Sequence, residues 1–552
     1  MKEEAIITYR GEQYSYPRGI SYMEIAEEFQ KNYDYPIVLA RVNNKLKELF
    51  HVADGDIELE FETIDGHIGH KTYKRGVCML FLKSFYDVVG RDKVEKLKIG
   101  FSMGPGYYCT AKGKFILDKE LVSRVKKRMM EVVEKDVPIV KKKYSIDEVR
   151  KKCRDVGMRD KERLFHYRMS SDINMYILEN YVDYFYGFMV PSTGYLSQFD
   201  LQLYKGGMIL QMVKRGDPDS VPPIKDMPSI FETMEKSVSW SSMLGVETVG
   251  ALNDSICEGR ITDIVLAQEA LVNSRISEIA EEISKRKSKF ITIAGPSSSG
   301  KTTFSHRLGV QLLSHGLHPR VITLDNYYLG RERVPLAEDG TKNFEALESL
   351  DLDEFNSNMK DLLAGQKVVL PSYNFLTGVK EYYGNPVKLG TEDVVVVEGI
   401  HGLSDEIAPD IAREQKFKIY ISSLTTMNID EHNRISTTDG RLIRRIVRDY
   451  MSRGTSAERT LSMWSKVRRG EEENIFPLQE KADAIFNSAL VYEISVLKQF
   501  VEPLLYSIKP NSENYQEALR LLKFLQYFLG LDASIVPSDS LIREFIGGSC
   551  YM

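Results

Sequence analysis

The chain reads as a multidomain protein of mixed α/β and α+β class, with a phosphate-loop domain on a parallel sheet, smaller α+β units before it and helices after it. Three observations predict this. Apolar Phe290-Ile-Thr-Ile-Ala294 runs straight into a glycine-bounded loop, and the loop opens into a segment with Phe304, Leu308 and Leu312 at helical spacing. Beyond it, short β-branched runs alternate with helical stretches. At 552 residues the chain is also too long for one ordinary core.

The loop residues are Gly295, Pro296, Ser297, Ser298, Ser299, Gly300, Lys301, Thr302 and Thr303. Glycines permit dihedrals and close approaches that side chains block, so the amides from Ser297 to Thr303 can turn inward onto a polyphosphate. The helix start adds unpaired N–H groups and the positive end of its dipole. Lys301 can then reach the β- and γ-phosphates, and the Thr302 hydroxyl can ligate Mg²⁺.

Composition is that of an ordinary globular protein, 43% hydrophobic and 28% charged. A formal charge of −5 gives no global case for nucleic acid, so any basic surface must be local. The first residues lack the apolar core of a signal peptide, and no run of about 18 apolar residues occurs, so a cytoplasmic, membrane-free protein is expected. Five scattered cysteines fit reduced thiols. His67/His70 and His315/His318 have no third ligand nearby in sequence and predict no zinc site.

Residues 1–62 form a first unit: a strand at Ala5–Tyr9, a turn at Arg10-Gly11, a helix from Ser21 to Lys31 and strands at Val38–Val42 and Ile57–Phe61. Ser21 with Glu24 is a capping-box signature, and Asn43-Asn44 marks a hairpin turn. This β-grasp pattern resembles the TGS domain at the front of threonyl-tRNA synthetases and some GTPases.

Residues 63–225 are α+β, with helical runs at Val77–Val89 and Lys119–Lys135 and a β-rich part after Met189. Val190-Pro-Ser-Thr-Gly194, preceded by Asp183-Tyr-Phe-Tyr-Gly-Phe-Met189, resembles the second additional domain of threonyl-tRNA synthetases, which hydrolyses mischarged tRNA. The four positions that the resemblance assigns to editing histidines and a cysteine hold Arg75, Met79, Phe185 and Met189. None can supply a thiolate or neutral imidazole, so no editing hydrolysis is expected.

Pro218–Ile224 has the proline and charge content of a linker. A helical connector follows over 226–288, with Ile276, Ile279, Ala280 and Ile283 on one stripe.

The phosphate-loop domain covers 289–490. Its further strands are Arg320–Leu324, Asp393–Val397, Phe417–Ile421 and Ala484–Phe486, giving a five-strand parallel sheet. Asp325 and Glu398 close two of these strands, at the sheet edge where such folds bind ligands. Arg441, Arg444, Arg445 and Arg448 fall on neighbouring faces of one helix, with Arg453-Gly454 as a hinge-like exit. A mobile guanidinium cluster closing over a moving phosphoryl group would stabilise its spread charge.

Here the resemblance is specific. The loop, Asp325-Asn-Tyr-Tyr328, Pro371-Ser-Tyr-Asn374, Glu398-Gly-Ile400, the Arg444 to Gly454 lid and Ala482-Asp483 occur in the order seen in uridine kinases of the phosphoribulokinase/uridine kinase family. The resemblance implies an ATP- or GTP-dependent, Mg²⁺-requiring kinase. In it Asp325 would be the base, Thr302 and Glu398 would hold Mg²⁺, and Arg448 and Arg453 would act with Lys301 on the phosphates. Tyr328, Tyr373 and Glu345 are the candidates for a small, nucleoside-like acceptor.

The departures fall on the acceptor side. Glu345-Ala-Leu-Glu-Ser-Leu-Asp351 replaces an Asp-His-Pro-Asp segment, Gly378 stands where a pyrimidine-contacting histidine is expected, and Met463-Trp464 where a glutamine is. Losing such partners removes most discrimination for a polar base edge.

Helices fill 491–552, where packing on the kinase domain is expected and a homo-oligomer interface is an alternative. A second functional reading makes the chain a tRNA- or RNA-binding regulator with the nucleotide site as a switch. Arg124–Arg128, Lys141–Lys143 and Lys151-Lys152 supply its candidate basic face.

Overall fold

The computed structural model describes residues 4–337, 340–374 and 377–551; residues 1–3, part of the stretch read for a leader, lie outside it. Its front sheet has the order 12–17, 4–9, 57–63, 37–42, 45–48, with 4–9 and 57–63 parallel and the other neighbours antiparallel. Both hairpins turn through two residues of positive φ, Arg10-Gly11 and Asn43-Asn44, which match the twist of the flanking strands. The helix Tyr22–Phe29 starts on the expected Ser21–Glu24 capping box and buries Tyr22, Ile25, Ala26 and Phe29 against this sheet.

In the second unit the helix His67–Val89 is ten residues longer at its start than the apolar pattern predicts. Its early turns carry Lys71, Lys74 and Arg75, which face other parts of the protein rather than an apolar core, so periodicity did not reveal them. Gly69 lets the helix lie on the front sheet, since a Cβ there would stand 2.0 Å from the Thr63 carbonyl oxygen. This helix and Lys119–Glu134 share a core with a four-stranded antiparallel sheet ordered 199–204, 207–212, 106–113, 94–103. A three-stranded sheet, 181–183, 172–178, 140–145, completes the unit together with the helices Ile146–Asp155 and Arg159–His166.

Three helices, Pro228–Met243, Val249–Cys257 and Ile261–Arg286, lead to the parallel sheet of the phosphate-loop domain. The stripe Ile276, Ile279, Ala280 and Ile283 joins the same core as Ile291, Ile293, Phe304 and Leu308, so the last helix is a layer of that domain's core rather than a tether. The sheet is parallel throughout, ordered 318–323, 393–398, 290–294, 416–422, 484–487. Its other face packs Val395 and Val397 against Phe355, Met359 and Leu362.

The front half and the phosphate-loop half are joined by a buried ion triad. Lys161 Nζ stands 2.9 Å from Asp430 and 3.3 Å from Asp183, and all three side chains are fully buried. His432 Nδ1 and the Tyr181 hydroxyl complete the shell around Asp183. Among the described residues all five cysteines are free, and no helix is long and apolar enough to cross a membrane.

Candidate active site

The phosphate loop takes the expected strand, loop and helix form, Phe290–Ala294 into Lys301–Ser314. A Cβ at Gly295 would lie 2.0 Å from the Ile421 carbonyl oxygen, so only glycine lets the loop leave the sheet there. Gly300 sits at φ +88° and Ser298 at +60°, the left-handed turns that curl the amides inward. Lys301 Nζ folds back onto the Gly295 and Pro296 carbonyls at 3.0 and 3.3 Å.

Two of the expected amide donors already have carboxylate partners. The Ser297 amide donates to Glu471 at 3.0 Å, and the Thr303 amide donates to Glu544 at 3.1 Å. Glu544 arrives on the short C-terminal helix Arg543–Ile546, whose neighbour Leu541 packs 3.8 Å from where a Gly300 Cβ would be. Phe545 lies under the Arg444 guanidinium. The tail therefore covers the phosphate loop itself, more than the general packing expected of it.

The arginine helix, Thr437–Arg453, divides into two parts. Arg441 is buried and bidentate to Glu471, at 2.5 and 2.8 Å, and also reaches the Ser297 carbonyl. Arg444, wholly buried, pairs with Glu493 and the Ser488 carbonyl. These two arginines are fixed struts behind the loop, which corrects the expectation that they belong to a mobile cluster. Glu471 and Glu493 are 30 and 49 residues away from them in sequence, so no local motif revealed the pairs. Arg445 donates to the Ser297 hydroxyl at 2.7 Å. Arg448 and Arg453 lean on Asp449, and Arg453 is more than half exposed. Gly454 ends the helix in the left-handed conformation.

Across from the loop stand the carboxylates. Burial pushes the Asp325 carboxyl above its usual range, opposed by Lys301, Arg453 and Arg448, so these four side chains share one field. Burial likewise pushes Glu398 up to about 7, with Lys301 opposing and Asp325 and Glu544 adding to it. Glu345 is also pushed up to about 7 by burial, against Arg445 and Lys301 and with Glu471 and Asp325 adding. Gly470 makes room for it: a Cβ there would meet the Glu345 Cβ at 2.4 Å.

Tyr328 and Tyr373 are both buried, with ring centroids 5.7 Å apart, and the Tyr328 hydroxyl donates to the Phe344 carbonyl at 3.2 Å. The Asn326 side chain ties the Tyr373 amide to the Asp325 turn at 3.2 Å. Structure thus brings Lys301, Asp325, Glu345, Glu398, Tyr328 and the Arg445–Arg453 end of the helix to one edge of the sheet. The Thr302 hydroxyl and the Glu398 carboxylate are hard oxygen donors, and crowding of Glu398 by Asp325 and Glu544 is what a divalent cation would relieve.

Four of the nine cations in the basic runs named as a candidate RNA face are held in ion pairs. Arg128 pairs with Asp87, Glu131 and Glu179, Lys126 with Asp200, Lys141 with Glu48 and Lys143 with Asp172.

Residues 290–495 match the phosphoribulokinase/uridine kinase family model. A uridine kinase of Mycoplasma genitalium is 33% identical over 177 residues, which is 32% of this chain and 74% of that protein. The chain belongs to the phosphoribulokinase/uridine kinase family. A uridine kinase of Halobacterium salinarum is 30% identical over 197 residues, 35% of this chain and 78% of its own length. A solved structure described as a possible uridine kinase from Bacillus stearothermophilus is 17% identical, with a TM-score of 0.26 over 38% of this chain and 98% of that one. The family match covers the phosphate loop and the parallel sheet, and leaves residues 1–289 and 496–552 outside it.

Proposed function

We propose that the chain is a Mg²⁺-dependent kinase that moves the γ-phosphoryl group of ATP or GTP to a hydroxyl of a small, nucleoside-like acceptor. The observation that carries this is the shared field of Asp325 with Lys301, Arg448 and Arg453 at the C-terminal edge of the sheet. Lys301 and the loop from Gly295 to Thr303 hold the phosphates. Thr302 and Glu398 would hold Mg²⁺, which would supply charge neutralisation at the transferred group.

Asp325 accepts the acceptor hydroxyl's proton as that hydroxyl becomes acidic in the transition state. Arg448 and Arg453 pair with Asp449 among the described residues, and from there can turn onto the moving phosphoryl group. Tyr328, Tyr373 and Glu345 face the acceptor, and the two tyrosine rings, tilted 59° to each other, give it an aromatic corner. Nucleoside-like chemistry is supported by the relatives named as uridine kinases.

For the front half, a strand order with the first and last strands parallel at the centre supports a β-grasp, hence the TGS-like reading of residues 1–62. The same proposal keeps 63–225 as a synthetase-like module without editing chemistry. Met79, Phe185 and Met189 are buried in one apolar core there, and Arg75 donates to the Phe188 carbonyl, which supports a structural role for all four positions.

A coupled assay with purified protein, Mg²⁺, ATP or GTP and a panel of nucleosides and other small alcohols tests the function. Steady turnover dependent on one acceptor is the expected result. Nucleotide hydrolysis that ignores every acceptor and responds to tRNA would overturn it in favour of the regulatory reading.

A further inference from the structure

Away from the phosphate loop, five cationic side chains gather where the second unit meets the kinase half. Lys71, Lys74 and Arg75 come from the helix His67–Val89, Arg434 from the segment leading into the arginine helix, and Arg520 from the helix Tyr515–Leu525. Lys74 Nζ and the Arg434 guanidinium both lie against the Tyr107 ring, at 4.5 and 4.9 Å from its centre. Lys74, Arg434 and Arg75 all act on buried Cys78, and Lys71 feels Arg520 and Arg75 together, so the five form one cluster.

Among the described residues two carboxylates enter it, Asp439 and Glu517, and Arg520 engages both. It is bidentate to Asp439, at 2.7 and 2.8 Å, and bonds Glu517 at 2.6 Å. Arg75 and Lys74 settle for neutral acceptors, the Phe188 carbonyl with the Thr72 hydroxyl, and the Pro105 carbonyl. Arg434 has less still: its Nε and Nη2 are buried with no hydrogen-bond partner.

A guanidinium cannot shed its proton to escape burial, and an unpaired buried charge is strongly unfavourable. The cluster holds three more positive charges than negative ones, although its side chains keep some surface open to solvent. That combination is a partly buried excess of positive charge that an anion of at least two charges would neutralise.

We propose that this interface binds a small phosphorylated ligand, a phosphate monoester or diphosphate, whose oxygens take the free Arg434 donors together with Lys71 and Lys74. A planar guanidinium flanked by lysines matches the tripod of phosphate oxygens and their double charge better than a single carboxylate. The cluster is drawn from three separate parts of the fold and its side chains are only partly exposed, which favours a small molecule over a nucleic-acid strand. Asp439 lies in the first turn of the arginine helix, so an occupant would rest against the element that reaches the phosphate loop at Arg441 and Arg445.

The site is separable from the phosphate loop by experiment. Full-length Lys301→Ala protein, free of Mg²⁺, is titrated calorimetrically with inorganic phosphate, pyrophosphate and glycerol 3-phosphate. The expected result is saturable one-to-one binding of at least one of them, weakened about tenfold or more when Arg434→Met or Lys71→Met is added. Should Arg434→Met fail to fold, as judged by circular dichroism, Lys71→Met decides, because that lysine makes no hydrogen bond that the fold would lose. The proposal is overturned if none of the three binds saturably, or if binding stays within about twofold in every folded double variant. It is also overturned if a short single-stranded RNA binds through Arg434 and Lys71 while the small phosphates do not.

Discussion

The Glu544 carboxylate and the Thr303 amide are hydrogen-bonded at 3.1 Å, so the C-terminal segment offers its own anion to a donor of the phosphate loop. A polyphosphate using that amide has to displace the carboxylate and would otherwise face its charge. Charge-assisted bonds of this kind contribute about 1.5–3 kcal/mol. Glu544→Gln is therefore expected to tighten nucleotide binding by about three- to tenfold, a conservative fraction of that energy. Calorimetric titration of both proteins with MgATP and MgGTP checks this, and weaker binding by the variant would contradict it.

Glu345 and Glu398 make stability depend on pH in a direction opposite to that of most carboxylates. Both are pushed up to about 7, chiefly by burial. Between their ordinary value of 4.5 and about 7, the folded chain holds protons that the unfolded chain has released. Their contribution is thus fully present below 4.5 and is lost as pH rises to about 7, at most about 3 kcal/mol from each. Urea midpoints should fall more steeply from pH 5 to 8 in the wild type than in Glu398→Gln. Mg²⁺ affinity, which needs the ionised carboxylate, should rise over the same window. Parallel midpoint profiles for the two proteins would rule the effect out.

Lys161 holds the two halves of the molecule together. Its removal as Lys161→Met leaves two carboxylates, Asp183 and Asp430, in a fully buried site with His432 as the remaining neighbour able to carry a balancing charge. Breaking a buried pair in this way typically costs about 3–5 kcal/mol. The expected outcome is a denaturation midpoint lowered by that energy, or a separate early unfolding step as the halves part. An unchanged midpoint would mean that the triad contributes little.

Much of the kinase half was legible because its signals are local. All five strands of the sheet, the loop, the helix after it and the acidic strand ends follow from periodicity and from glycine positions. The front hairpins were equally readable in Arg10-Gly11 and Asn43-Asn44, where the turn chemistry lies in two adjacent residues.

What escaped depends on partners far apart in the chain. Arg441 and Arg444 look like any other arginines on an amphipathic helix until Glu471 and Glu493 meet them. Glu544 belongs to a four-residue helix that no pattern singles out, and its partner amide lies 241 residues earlier. The first ten residues of the helix His67–Val89 carry cations for an interface, so their polarity hid a helix that packing and Gly69 make plain.

The role given to Asp325 is the centre of this account, and one comparison tests it most directly. Steady-state turnover with the best acceptor and the dissociation constant for the Mg-nucleotide are measured in wild type, Asp325→Asn and Lys301→Ala. Removal of the base should cost about a hundredfold or more in turnover while leaving nucleotide affinity within about threefold. Lys301→Ala should weaken both. Near-normal turnover by Asp325→Asn would contradict the account.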